Sequence, residues 1–132
     1  MSRPKVFISD SSSDGGWARE FAISLQQRGL KVLFASSALH SGETLAEAVA
    51  HGLRNSNVIA LLVTPDTIKR PNLFFEIGAA LGMGKRLIPV VSKDVDLKAL
   101  PVSLREGKFL VKRSREATAR EFVSETVLSS AN

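Results

Sequence analysis

Apolar blocks alternate with amphipathic blocks along the chain, and this alternation predicts strands and helices in turn. Five short apolar runs predict strands: KVFIS (5–9), LKVLFA (30–35), NVIALLVT (57–64), RLIPVV (86–91) and KFLVK (108–112). After the first strand, Trp17, Phe21 and Leu25 recur at helical spacing, and Gly29 is placed to end that helix. The same spacing predicts helices in LAEAVAHGLRNS (45–56) and REATAREFVSETVLSS (115–130).

The remaining two blocks have less regular patterns. PDTIKRPN (65–72) is interpreted as a loop, in which Pro71 is well placed to start a helix that carries Glu76. DLKALPVSLREG (96–107) is interpreted as an irregular or short helical segment before the fifth strand.

Strands that alternate with helices indicate an α/β domain with a parallel sheet. The third and fourth strands are almost continuously apolar, which is typical of strands buried on both faces. Five such units in 132 residues predict a flavodoxin-like, doubly wound five-stranded parallel sheet, ordered 2-1-3-4-5 and flanked by helices. No repeat, low-complexity segment or linker interrupts the pattern, so residues 1–132 are interpreted as a single domain.

The composition limits the classes of function. The chain has no cysteine and only two histidines, which argues against a disulfide scaffold and a structural zinc site. No apolar run reaches membrane-spanning length and no signal-peptide core is present, so we expect a cytoplasmic protein without a membrane partner. The net charge of +5 favours anionic partners, but the basic tail lacks the interleaved aromatics of nucleic-acid binders, so nucleic acid is not expected.

The predicted strand order also locates a candidate site. In open parallel sheets, ligands bind beyond the carboxyl ends of the strands, where the strand order reverses. Here the reversal lies between the first and third strands. The loop DSSSDGG (10–16) follows one of them, and the segment with Glu76 follows the other.

Glu76 lies in the unusually apolar segment NLFFEIGAALGMGKRL (72–87). The residues three and four positions away are asparagine, leucine and alanine, so no intrahelical ion pair is available. Gly78 and Gly82 permit close approach of a backbone or a ligand. One interpretation is a surface glutamate that points to solvent or pairs with a distant base; the other is a working carboxylate in an apolar cleft.

The polar loops allow both structural and functional interpretations. The run from Ser9 to Ser13, followed by Asp14, either caps the next helix or supplies hydroxyl and N–H groups to a polar ligand. It is not a phosphate-binding P-loop, because no Gly-Lys-Ser/Thr follows. A phosphoacceptor receiver domain shares the predicted topology, but Asp10 lacks the acidic neighbour that such a site needs.

Four blocks together resemble a Toll/interleukin-1 receptor (TIR) domain, with the bacterial TIR-like branch as the best match. They are VFISDSSSD, GLKVLFASSALHSGETL, NSNVIALLVTP and NLFFEIGAALGMGKRLIPVV, in the order and spacing of that family. The resemblance implies a flavodoxin-like fold. It also implies either cleavage of the nicotinamide–ribose bond of NAD+, in some members with formation of cyclic ADP-ribose signals in antiphage immunity, or signalling by self-association alone.

The resemblance assigns roles to particular positions. Glu76 matches the catalytic glutamate of the family. The residues expected to contact substrate are Ser9, Asp10, Ser11 and Ser12 after the first strand, Ser37, Leu39 and Gly42 in the mobile loop after the second, and Asn72 and Phe75 beside the glutamate. No metal or cofactor is expected, since NAD+ is the substrate. Self-association through residues 36–44 and an activating partner protein or domain are further expectations.

Three positions depart from the family pattern. Asn72 stands where an aromatic residue often precedes the glutamate and stacks on the substrate, so Phe7, Trp17 or Phe75 would have to take that role. Ala35 replaces an acidic residue at the end of the second strand, and Ser41 replaces a proline in the mobile loop.

A single carboxylate suits NAD+ cleavage better than ordinary glycoside hydrolysis. Nicotinamide leaves from a cationic pyridinium and departs neutral, so no general acid is required for the leaving group, unlike in most glycosidases. One glutamate can stabilise or attack the oxocarbenium-like ribose. The alternatives are a non-catalytic TIR self-association module and a nucleoside deoxyribosyltransferase-like enzyme with a Glu nucleophile.

Overall fold

The computed structural model describes residues 4–9, 15–34, 51–69, 83–100 and 108–130 of the chain. The strands are β1 (Lys5–Ser9), β2 (Lys31–Phe34), β3 (Val58–Val63), β4 (Arg86–Val91) and β5 (Leu110–Val111). The helices are α1 (Gly15–Gln27), the single turn α2 (Pro65–Ile68), a 3-10 turn (Leu97–Ala99) and α3 (Arg115–Ser130), and residues 51–54 are also helical.

The five strands form one parallel sheet in the order β2-β1-β3-β4-β5, which confirms the predicted topology. In the β1–β3 register Val6 lies opposite Val58, and in the β3–β4 register Val58 lies opposite Arg86. All six residues of β3 are buried, as its continuous apolar run predicted. A central parallel strand of this kind needs cover on both faces of the sheet.

One face of the sheet packs against α1 and α3. Val6 and Ile8 of β1 and their neighbours in β3 and β4 form a buried cluster with Phe21 of α1 and Phe122 of α3. The two rings meet edge to face with their centroids 5.7 Å apart, an arrangement that aromatic pairs favour. This contact joins the first and last described helices across the same face.

The other face carries two smaller apolar clusters. Phe7, Ile59 and Leu53 form one of them, and the second is built around Leu61 and Val91. Among the described residues, helical cover on this face comes from 51–54, where Gly52 lies directly against the ring of Phe7, and from α2, whose Ile68 packs against the second cluster. A Cβ atom built on Gly52 would lie less than 3.0 Å from three carbons of that ring.

The end of α1 confirms the predicted role of Gly29. Its φ of 91° lies in the left-handed region, and its N–H donates to the carbonyl of Gln26 at 2.9 Å. The next N–H, of Leu30, reaches back to the carbonyl of Leu25 at 3.1 Å. This pairing satisfies carbonyls that the helix end would otherwise leave without partners.

Two sequence-based boundaries were wrong. Residues 65–68, expected in a loop, form the turn α2, because Pro65 suits a first helical position and the N–H of Ile68 reaches the carbonyl of Thr64 at 3.2 Å. The fifth strand is also shorter than its apolar run. Its ladder with β4 comprises only Leu110 and Val111, because they lie opposite Val90 and Val91, where β4 ends.

We expect Gly52→Ala to destabilise the protein by about 1–3 kcal/mol, since the added methyl group forces the buried Phe7 ring to move. Urea unfolding followed by circular dichroism measures the loss. Gly16→Ala is the matched control, because nothing lies within 4 Å of its added Cβ atom and alanine favours the helix. Equal unfolding midpoints for the two variants would contradict this account of Gly52.

Candidate active site

The carboxyl ends of β2, β1 and β3 lie side by side at one edge of the sheet. These strands end at Phe34, Ser9 and Val63, and Ser9 lies opposite Leu61 of β3. The strand order reverses between β1 and β3, as the sequence predicted. The three connections that carry the predicted site residues therefore all start from adjacent positions of this carboxyl edge.

Of the predicted site residues, the structure describes only Ser9. It is 7% exposed and ends β1 on the same face of the strand as Phe7, since alternate residues share a face. Its side chain is thus held below the surface of the carboxyl edge, next to β3. The other nine lie outside the described residues: Asp10, Ser11, Ser12, Ser37, Leu39, Gly42, Asn72, Phe75 and the proposed catalytic Glu76.

The described part of the carboxyl edge is fixed by backbone hydrogen bonds that continue the ladder. The N–H of Ser92 donates to the carbonyl of Val63 at 2.9 Å, and the N–H of Lys112 donates to that of Val91 at 2.8 Å. The Ser92 hydroxyl donates to the Asp94 carboxylate two residues on. These bonds hold the start of the connection after β4 beside the end of β3, and the start of the connection after β5 beside the end of β4.

Trp17 fastens the connection after β5 to the first turns of α1. Its indole N–H donates to the carbonyl of Arg113 at 3.2 Å, and the ammonium of Lys112 lies 4.7 Å from the ring centroid. The Arg113 N–H in turn donates to the buried hydroxyl of Thr118 at 3.0 Å. Sequence spacing placed Trp17 on the first helix but missed this anchor. The sequence contains one signal for it, the tryptophan itself, because a partly buried indole N–H usually finds a hydrogen-bond acceptor.

The contacts of Phe7 and Trp17 decide whether either ring can replace the aromatic residue that the family often has at the position of Asn72. Phe7 is fully buried against Gly52 and has no face for a ligand. Trp17 stacks on Phe21 with ring centroids 5.0 Å apart, besides its contact with Lys112. Of the three aromatic residues considered for stacking on a substrate, Phe75 is the one whose position lies outside the described residues.

The described groups do not form a phosphoacceptor or metal centre. A receiver site needs an aspartate at the end of the third strand, whereas β3 ends at Val63 and is followed by Thr64. Lys112, at the end of β5, is directed to the ring of Trp17. Within the described ranges, no three His, Asp or Glu side chains come together as metal ligands. The same ranges contain no helix long and apolar enough to cross a bilayer.

Comparison with known families gives a match over most of the chain. The sequence model described as "TIR domain" matches residues 6–123. No curated protein matches the chain significantly in sequence.

Several solved structures share the fold. The TIR domain of the Toll-related receptor TRR-2 from Hydra magnipapillata has a TM-score of 0.72 and 18% identity, with 95% of each chain covered. A TIR-STING receptor from C. gigas, in complex with 2',3'-cGAMP, has a TM-score of 0.75 and 22% identity, over 90% of this chain and 38% of the receptor chain. The CMP N-glycosidase BcmB from Clostridium botulinum has a TM-score of 0.61 and 12% identity, over 89% of this chain and 97% of the glycosidase.

We expect Trp17→Phe to lower the free energy of unfolding by roughly 0.5–1 kcal/mol, because phenylalanine keeps the ring but cannot donate to Arg113. Trp17→Leu, which also removes the stacking on Phe21, should lose more. Urea unfolding of both variants measures the difference. A Trp17→Phe protein as stable as the wild type would show that the indole hydrogen bond contributes nothing net.

Proposed function

The chain belongs to the TIR domain family, and from that membership we propose that it cleaves the nicotinamide–ribose bond of NAD+ with Glu76 as its catalytic group. The family includes NAD-cleaving enzymes. The observation that carries the proposal is the meeting of β2, β1 and β3 at one edge, where the order reverses. In the chain, the segment with Glu76 follows β3 and α2, and residues 10–14 follow Ser9 at the end of β1.

The proposed role of Glu76 is electrostatic or nucleophilic. As the bond to nicotinamide breaks, positive charge develops on the ribose, and a carboxylate held beside it stabilises that charge or attacks the anomeric carbon. The leaving nicotinamide takes the bonding electrons, which neutralise the pyridinium, so no proton is needed. Water, or the adenine ring in a cyclisation, then completes the reaction.

The proposed substrate contacts come from the three connections that start at the adjacent ends of β1, β2 and β3. Ser9, Asp10, Ser11 and Ser12 would hold polar groups of NAD+ from the end of β1. Ser37, Leu39 and Gly42 would approach from the end of β2, and Asn72 and Phe75 from the segment of Glu76. The net charge of +5 favours attraction of a diphosphate. An antiphage signalling role in the cytoplasm is the context in which such a reaction would act.

A structural neighbour supports the reaction class. The C. botulinum protein is by its description an N-glycosidase that acts on CMP, so this fold hosts cleavage of an N-glycosidic bond. At 12% identity the likeness extends to the fold alone. CMP and deoxynucleosides are therefore included as rival substrates, the latter to test the deoxyribosyltransferase alternative.

The second candidate function is assembly. TIR domains self-associate and form larger complexes, and residues 36–44 start from β2, at the border of the sheet. A loop in that position can reach a second copy or an activating partner without displacing the core. In this alternative, Glu76 has no chemical role.

We expect Glu76→Gln to reduce nicotinamide release from NAD+ by roughly a hundredfold or more, because the neutral amide cannot stabilise the developing cation. Chromatography of products from concentrated protein measures the rate, with CMP and deoxynucleosides run in parallel. Glu116→Gln, an exposed glutamate in α3, is the matched control and should keep full turnover. Turnover of NAD+ that survives Glu76→Gln would refute the role given to Glu76.

We expect Leu39→Arg to weaken self-association, since it places a charge in the loop proposed as the contact. Sedimentation across a concentration series measures the assembly, and Leu97→Arg is the control at an exposed leucine on another surface. If assembly also activates the enzyme, Leu39→Arg lowers turnover most at low protein concentration. Unchanged sedimentation of Leu39→Arg would exclude residues 36–44 as the principal contact.

A further inference from the structure

The amino edge of the sheet, opposite the candidate active site, presents a row of cations. Lys31 lies opposite Lys5 in the β1–β2 register. Asn57 and Lys85 stand one residue before Val58 and Arg86, which pair across β3 and β4. Backbone hydrogen bonds connect these neighbouring positions. The Asn57 N–H donates to the Lys5 carbonyl at 2.8 Å, and the Arg86 N–H donates to the Asn57 carbonyl at 3.2 Å. The row is therefore Lys31, Lys5, Asn57 and Lys85.

This row places like charges close together. Adjacent strands lie about 4.8 Å apart, so Lys31 and Lys5 are direct neighbours and Lys85 follows about 10 Å farther along. Like charges opposite each other in a sheet are destabilising. Among the ion pairs of the described residues, none involves Lys5, Lys31 or Lys85. The repulsion within the row is thus not offset by any described acidic side chain.

Helix carboxyl ends lie at the same edge, since α1 ends at Gln27 before Lys31 and the helical residues 51–54 end before β3. The partial negative charge of a helix end favours nearby cations but falls off within the last turn, so it does not supply a full countercharge for the row. Because β-sheets have only small net dipoles, the sheet itself does not stabilise these charges.

The same edge already binds one carboxylate. Glu125 of α3 accepts from Arg86 at 3.3 Å and from Lys108 at 2.9 Å, so two cations at the starts of β4 and β5 share it. At the unpaired lysines, an incoming acidic side chain would likewise find more than one cation within reach. It demonstrates, within the fold, that carboxylates are suitable partners for cations at this edge.

An apolar side chain lies beside the row. Met83 is 45% exposed in the turn just before Lys85, and flexible methionine side chains adapt to varied apolar partners. No aromatic side chain of the described residues is fully exposed at this edge. Bases of single-stranded nucleic acid therefore lack a stacking platform here, whereas a peptide with both acidic and apolar side chains finds a partner for each.

We propose that Lys5, Lys31, Lys85 and Met83 form a docking surface, the amino-edge row, for an acidic protein segment that carries an apolar side chain among its carboxylates. The segment belongs to a partner protein. Its carboxylates pair with the three ammonium groups, and its apolar side chain packs on Met83. The surface lies at the edge opposite Ser9 and the end of β3, so it does not depend on the chemistry proposed for the carboxyl edge.

The test uses a fluorescein-labelled peptide of glutamates with one central leucine, and the same peptide with glutamines as the ligand control. Anisotropy at low and at physiological ionic strength measures binding to the purified chain. Lys31→Gln with Lys85→Gln should weaken binding of the acidic peptide by roughly three- to tenfold. The matched control, Lys93→Gln with Lys98→Gln, removes two exposed charges from the connection after β4 and should leave binding unchanged.

Further measurements separate this surface from general attraction of anions. Met83→Ser should weaken the leucine-containing peptide but not an all-glutamate one. Equal weakening in the two double variants, or equal binding of the glutamine peptide, would overturn the proposal. So would a DNA duplex or a phosphatidylserine vesicle that binds through Lys31 and Lys85 more tightly than the peptide does. Matching urea midpoints of the double variants confirm that both are folded.

Discussion

The burial of β3 on both faces is the constraint from which the rest of the structure follows. A strand without a solvent-exposed residue requires neighbouring strands on both sides and apolar cover above and below. α1 and α3 supply the cover on one face, and the packing of Phe7 against Gly52 contributes on the other. Polar chemistry is excluded from the middle of such a sheet. Polar groups of the strands are therefore found at the two edges of the sheet, where the strands begin and end.

The two edges differ in chemistry. At the carboxyl edge the described groups are mostly neutral hydrogen-bonding ones, such as the buried Ser9 and the half-buried Ser92, and Lys112 is held against Trp17. At the amino edge, lysines begin strands and lie next to one another in register. One edge thus suits a shaped pocket for a small polar molecule, and the other suits a broader electrostatic contact. The length of the strands separates the two edges.

Features fixed by periodicity were predictable, and features fixed by individual contacts were not. The apolar runs located all five strands, and their alternation with helices was enough to give the order 2-1-3-4-5. The turn at 65–68 was missed because a proline soon after a strand is typical of a loop as well as of a first helical position. The packing of Gly52 on Phe7 joins residues far apart in sequence, so no local pattern reveals it. Of the candidate site, the strand order confirms the predicted edge. Glu76 stays a prediction, because it and every other predicted site residue except Ser9 lie outside the described residues.

Trp17 has a consequence for spectroscopy. It is the only tryptophan of the chain, and the chain has no tyrosine, so indole emission comes from one place. That place is the first part of α1, directly after the loop at 10–14, where the ring meets an ammonium group and a backbone carbonyl. A nearby cation and a hydrogen bond both influence the energy of an excited indole. The intrinsic fluorescence of this protein therefore reports on the junction of α1 with the end of β5, without any added label.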